Sequence, residues 1–203
     1  MKTNIQIIIA LFFILNTSYI ATAQTVLTVS GNQMVQEGGY IVLNNTNFIN
    51  NGTFNAGTGT ILIEGDATNA NSAIGGATQT TFYNMVLDKT SNGSQLEQAI
   101  NISNQLTLTS GNLDLQTYNL TISSSGTISS GSSSSFIETS STGVLIQEVA
   151  ASNIVFPVGN QSYTPVTLNN AGTTDDFNVR VENAVYLDGT SGTAVTTDVV
   201  NAT

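Results

Sequence analysis

Cysteine, histidine and tryptophan are missing altogether from this 203-residue chain, proline occurs twice, and lysine and arginine together number three. Without histidine or cysteine there is no ordinary base for a serine triad, no thiol nucleophile and none of the common zinc ligands. The lack of cysteine also means no disulfides to support an exported core, and no lipid-attachment residue behind a leader. Tryptophan, the preferred ring for stacking on sugars, is not available either. So few cations exclude nucleic acid and anionic membrane surfaces as partners, because both need clustered Lys and Arg. Charged residues make up 8% of the chain and hydrophobic ones 40%. That balance excludes the usual disordered composition of high charge with few hydrophobes.

What is present begins with a leader. The segment MKTNIQIIIALFFILNTSYIATAQ has a cation at Lys2, an apolar core from Ile5 to Leu15, and Ala21-Thr22-Ala23 ahead of Gln24. This is the layout of a secretory signal peptide with a small-x-small cleavage site. Its apolar core is about half the roughly 20 residues that span a bilayer, so a cleaved leader over residues 1–23 is expected rather than an anchor, with an uncleaved amphipathic leader as the alternative. Cleavage leaves Lys89 and Arg180 against thirteen acids, a net charge of −11. No membrane insertion is expected of the mature chain.

The fold is announced by QLTLTSGNLDLQTYNLTIS, Gln105 to Ser123, where apolar residues two apart recur every seven: Leu106/Leu108, Leu113/Leu115, Leu120/Ile122. A coiled-coil heptad spaces its apolar residues three and four apart. Residues two apart lie about 200° apart around a helix but on one face of a strand. Each seven is therefore a short strand and a turn, and the Thr, Ser, Gly and Asn fillers suit that. Similar pairs occur at Ile41/Leu43, Ile61/Ile63, Met85/Leu87, Ile100/Ile102 and Val144/Ile146. The landmarks 41, 61, 85 and 106 are 20, 24 and 21 residues apart. Three sevens make one such step, so the spacing predicts a β-solenoid with coils of about 20 residues over 24–150, in which each strand pairs with its equivalent one coil away. An ordinary antiparallel sandwich carries the same alternation and is the alternative. The irregular stretch Asp66 to Gln79 reads as a loop inserted in one coil.

Glycines 52, 57, 59 and 65 fall between or beside apolar runs, as turns require. Asn44, Asn45, Asn50 and Asn51 suit coil corners, either stacked and bonded to their own backbone or simply as polar turn residues. The run Ser123 to Ser135 is low in complexity, and the apolar Ile128 and Phe136 favour a poorly packed last coil there over a free linker. From Ala151 the pattern changes. Both prolines fall here, and Phe177, Val179 and Val181 alternate with Asn178, Arg180 and Glu182 in the manner of a half-buried antiparallel strand. Residues 151–203 are expected to begin a second, partial antiparallel β-sandwich module that the chain leaves incomplete, with the native reading frame continuing past Thr203.

The ordered motifs GTFNAGTGTILIEG, IGG, TTFYNMVLDK, QLTLTSGNLDLQTYNLTI and FPVGNQSYTPVTL resemble the exported cell-surface proteins of Bacteroidetes that leave by the type IX secretion system. The resemblance implies a β-solenoid-like region, a following β-sandwich-like module and a C-terminal sorting domain, of which this sequence shows none. It brings no catalytic residues.

Chemistry is sparse. A solenoid polysaccharide lyase calls for a Lys or Arg base and cationic clamps, and Lys89 and Arg180 are far apart in sequence. Glu64 and Asp66 are the best local pair for a glycosidase, and equally a solvated strand end. Those two, or Asp175-Asp176 with Glu182, offer oxygens to calcium but match no EF-hand or nonapeptide spacing. Tyr40, Tyr83, Tyr118, Tyr163 and Tyr186 are scattered. The T-x-T pairs Thr58/Thr60, Thr78/Thr80 and Thr107/Thr109 suit an ice-binding face if they stack, and otherwise reflect strand propensity. The expectation is an all-β, secreted or cell-surface structural or adhesive module of a Gram-negative bacterium. It has no catalytic, metal or cofactor residues, and its candidate partners are surface glycans or other cell-surface proteins. The alternatives are a carbohydrate-active enzyme domain and an ice- or glycan-binding flat face.

Overall fold

The computed structural model describes residues 25–66, 71–129, 131–184, 186 and 193–195, and the expected leader lies outside them. All seventeen elements in these residues are β-strands. They wind as a β-solenoid of about six coils. The first coil holds β1 (Thr25–Val35) and β2 (Tyr40–Asn44); the second holds β3 (Thr46–Asn55) and β4 (Thr60–Gly65); the third, β5 (Ser72–Gly75) and β6 (Thr80–Lys89). The fourth holds β7 (Ser94–Leu96) and β8 (Ile100–Ser110), the fifth β9 (Leu113–Asp114), β10 (Leu120–Ile122) and β11 (Thr127–Ser129), and the sixth β12 (Ile137–Glu138) and β13 (Leu145–Val149). Then come β14 (Ile154–Phe156), β15 (Val158–Gly159), β16 (Val166–Leu168) and β17 (Asp175–Val179).

Two sheets run along the axis. One has the order β1-β3-β5-β7-β9-β12-β15; the other has β17-β13-β10-β8-β6-β4-β2. Every coil-to-coil pairing is parallel, which overturns the antiparallel sandwich. The landmark residues are direct partners: Ile41 opposes Ile61, Ile61 opposes Met85, and Met85 opposes Leu106. Alternation explains the register, since slipping by one residue would turn the whole apolar set to water. Leu106, Leu108, Leu113, Leu115, Leu120 and Ile122 are all buried in one continuous core.

The strands are fewer and longer than three separate pieces per coil. In β8, residues 100–102 pair with β10 and residues 105–107 with β11, so one hydrogen-bonded strand serves two sides of the coil. Its pairing with β6 skips between Phe82 and Asn84 while β8 advances from Ile102 to Gln105, and this bulge makes the corner. Phe48, Phe54 and Phe82 meet edge to face where the second and third coils turn, with ring centroids 5.2 to 5.7 Å apart.

The stretch from Asp66 is not merely a loop. It contains β5, all four residues of which are buried and which pairs with both β3 and β7. Its small residues disguised it. A Cβ on Gly76, whose φ is +122°, would lie 2.1 Å from the Asn50 carbonyl oxygen, so the coil passes its neighbour too closely for any side chain. The serine-rich run also belongs to the coils: β11 lies in it, and Ser135 is buried and donates its hydroxyl to the Gly111 carbonyl at 2.8 Å.

After residue 150 the described strands seat on the solenoid. β15 extends the first sheet, β17 runs antiparallel along β13, and β14 and β16 form a small antiparallel pair. Phe177 and Val179 turn inward and Asn178 outward, as the alternation predicts. No pair of facing sheets forms among the described residues of this segment.

Candidate functional site

The second sheet turns a regular face outward. From the register, one outward column is Tyr40, Thr60, Asn84, Gln105 and Thr127, and the next is Val42, Leu62, Val86, Thr107 and Ser129. Polar side chains on and beside these columns bond to one another along the axis. Asn104 Nδ2 donates to Asn84 Oδ1 at 2.7 Å, and Asn84 Nδ2 to Thr60 Oγ1 at 3.3 Å. Ser129 Oγ donates to Thr107 Oγ1 at 3.2 Å, Ser110 Oγ to Asp88 Oδ1 at 2.8 Å, and Asn44 Nδ2 to Glu64 Oε1 at 3.1 Å. Such bonds fix rotamers between coils, each contributing about 1 kcal/mol.

The threonine pairs do not form a grid. Thr60 opposes Asn84, Thr80 opposes Ile100, and Thr107 opposes Val86. Thr60 and Thr80 are also buried, the latter accepting from Asn50 Nδ2 at 3.0 Å. The asparagines have structural work at the corners. Asn50 is buried and accepts from the Gly52 amide, Asn51 Oδ1 accepts from the Ala77 amide one coil on, and Asn45 Nδ2 donates to Asn44 Oδ1.

The acids meet at most in pairs on adjacent strands: Glu64 opposes Asp88, Asp114 opposes Glu138 and Glu148 opposes Asp176. Glu64 is half-buried against Asn44, and Asp66 lies beyond it in solvent. Asp175 and Asp176 are exposed on β17. Glu182 pairs with the Arg180 guanidinium, and the phenol of Tyr186 hydrogen-bonds to the same carboxylate. That hydrogen bond, followed by the carboxylate's charge, pushes the Tyr186 phenol above its ordinary value. This cluster borders a shallow opening of about 320 Å³. A second opening, of about 390 Å³, lies between the turn at Ser123 to Ile128 and the strand end at Gln147 to Val155, and carries one acid, Glu148. Tyr40 is strongly exposed, Tyr118 sits at the surface, and Tyr163 packs on Phe136 with centroids 6.0 Å apart. Among the described residues, no three of Asp and Glu converge as metal ligands. None of the family models, curated proteins or solved structures compared with this chain matches it.

One charged residue has a place that its sequence neighbourhood does not advertise. Lys89 is 2% exposed, and its Nζ donates to Asn45 Oδ1 at 3.1 Å and to Ser72 Oγ at 3.3 Å. Burial lowers its pKa, and the charge of Asp66 opposes that shift. The signal was parity: the alternation that turns Met85 and Leu87 inward turns Lys89 inward too. Its amine ties a corner of the third coil to the second, which is a structural use of the charge.

Proposed function

We infer that this chain is an exported, non-catalytic structural or adhesive module carried outside a Gram-negative cell, of the kind delivered by the type IX route. What supports the reading is the use made of its polar side chains. Along the outer face they bond from coil to coil, and among the described residues the acids that meet, Glu64 with Asp88, Asp114 with Glu138 and Glu148 with Asp176, are register neighbours on adjacent strands rather than groups facing each other across a cleft. A stiff rod with a polar surface holds an attached domain away from the cell, or offers long repetitive contact to glycans or other surface proteins. In this reading the segment from Ala151, whose described strands seat on the last coil, leads into a further β module.

The experiment has two arms. Expressed in a Gram-negative host with its leader, the chain is expected beyond the inner membrane with Gln24 at its N-terminus by intact mass. Precursor mass confined to the cytoplasm refutes export. The purified chain is expected to release no reducing ends from a panel of neutral and acidic polysaccharides, and release by any of them favours the enzyme reading instead.

A further inference from the structure

A β-sheet edge exposes a row of unpaired N–H and C=O groups, and proteins protect such edges with bulges, short strands, charge or proline. The two long sheets have five edges among the described residues, and all but one carry such protection; the far side of β11, which pairs only with β8, is three residues long. β1 advances from Ser30 to Gln33 while its partner advances two residues, which is a bulge on the edge strand itself. β15 is two residues long. β17 carries the exposed acids Asp175 and Asp176. The remaining edge, β2, reads YIVLN and has no charge, no proline and no register shift against β4. Its outward side chains are Tyr40, 70% exposed, Val42, 51% exposed, and the polar Asn44.

We propose that β2 is a homotypic interface, pairing antiparallel about a two-fold axis with β2 of a second copy of this chain. Charge favours a copy at this end. The chain is strongly acidic, so two copies repel along most of their length, yet Glu37 is the only charged residue between Thr25 and Asn44. The strand is also self-complementary. Centred on Val42, the pairing sets Val42 against Val42 of the second copy, Tyr40 against Asn44, and Ile41 against Leu43. Outward groups thus meet outward groups, and the inward pair makes one apolar core continuous across the axis. A pair of solenoids joined in this way is a rod of twice the length with an antiparallel sheet at its centre.

The interface rests on removal of the leader, as proposed above, because residues 1–23 directly precede this coil; intact mass of the same sample reports that separately. The test is sedimentation velocity of the full chain over a range of concentrations. Wild type is expected to dimerise, and Val42→Lys to weaken association at least about tenfold by placing like charges face to face on the axis. Thr107→Lys, outward in the middle of the same sheet, is expected to leave it unchanged. Because the chain has no cysteine, Val42→Cys adds a clean probe: opposed Cα atoms in an antiparallel pair are about 4.5–5.5 Å apart, within disulfide reach. Oxidation is expected to give a covalent dimer for Val42→Cys and not for Thr107→Cys. A processed wild-type chain that stays monomeric overturns the proposal, as does a dimer indifferent to Val42→Lys or one that Val42→Cys fails to cross-link. A mass that retains the leader counts against export alone; a chain beginning at Gln24 is then sedimented in its place, and its association decides the edge.

Discussion

Two neighbouring positions in the shortest part of the core separate inward from outward by a large energy difference. Leu113 in β9 is fully buried and lies between Ser94 and Ile137 in adjacent coils. Asp114 is half-buried and points away from that core. In Leu113→Asp the lost leucine burial alone is worth roughly 2–3 kcal/mol, and desolvating the new carboxyl without a partner adds about 2 or more. A total of about 4–5 kcal/mol corresponds to a fall in Tm of roughly 10–15 °C for a chain of this size. The damage is expected to spread only to adjacent coils, since solenoid stability is a sum of nearest-neighbour interfaces.

Asp114 is not idle. It accepts hydrogen bonds from the Gln116 amide at 3.0 Å, from Gln116 Nε2, and from Ser140 Oγ at 2.6 Å one coil on. In Asp114→Asn the remaining oxygen keeps the amide and hydroxyl donors, and the Gln116 carboxamide turns over to accept from the new NH₂ group. The expected loss is about 1 kcal/mol or less. Asp114→Ala leaves all those donors unpartnered and is expected near 2 kcal/mol. Thermal and urea unfolding followed by far-UV circular dichroism measures all three. Equal shifts for Leu113→Asp and Asp114→Asn would refute the alternation on which the coils depend.

Other perturbations follow from single contacts. Gly76→Ala forces a methyl to 2.1 Å from the Asn50 carbonyl at a left-handed φ, so it is expected to cost about 3 kcal/mol or more in urea unfolding; a neutral outcome disproves the close approach. Asn50→Ala removes a buried amide that serves both Gly52 and Thr80, and a loss of about 2 kcal/mol is expected by the same measurement. Lys89 titrates below the ordinary lysine value of 10.5 because it is buried. As pH falls, the unfolded chain takes up this proton first, so the residue detracts from stability below its folded pKa and the deficit disappears above 10.5. Wild type is therefore expected to gain on Lys89→Met as pH rises from the folded pKa toward 10.5, and a constant gap between their urea midpoints would contradict the burial of the charge.

What could be read from the sequence depended on how each residue meets its neighbour in the next coil. Ile41, Ile61, Met85 and Leu106 were legible because a period of two fixes the inward face and a coil length near twenty fixes the partner; both are one-dimensional signals. The strand Ser72 to Gly75 was not legible, because its fit comes from the absence of side chains: Gly75 and Gly76 let Glu97 and Asn50 approach, and a pattern search for apolar pairs passes over them. The corners were hidden for a related reason. Ser103 and Asn104 read as a break between two strands, yet the Ser103 hydroxyl donates to the Phe82 carbonyl and Asn104 caps Asn84, so polar residues carry one strand around the bend. The buried polar set follows the same rule. Asn50, Lys89, Thr139 and Gln147 each continue the inward parity of a buried apolar residue two positions before them, Phe48, Leu87, Ile137 and Leu145. Lys89 closes β6 and Thr139 follows β12, while Asn50 and Gln147 lie within β3 and β13, and each meets a backbone or hydroxyl group: Thr139 Oγ1 donates to the Val181 carbonyl at 3.0 Å and Gln147 Nε2 to the Val155 carbonyl at 3.3 Å. A polar residue at the inward parity of a strand therefore marks a place where backbone or hydroxyl groups need a partner in this fold. Candidate functional residues have no such rule to reveal them. Glu64, Asp66, Asp175 and Asp176 are ordinary in spacing, and the fold sets Glu64 against Asp88 and Asp176 against Glu148 through register that spacing does not reveal, whereas the exposed β2 edge is conspicuous because the charge that guards β17 is missing there.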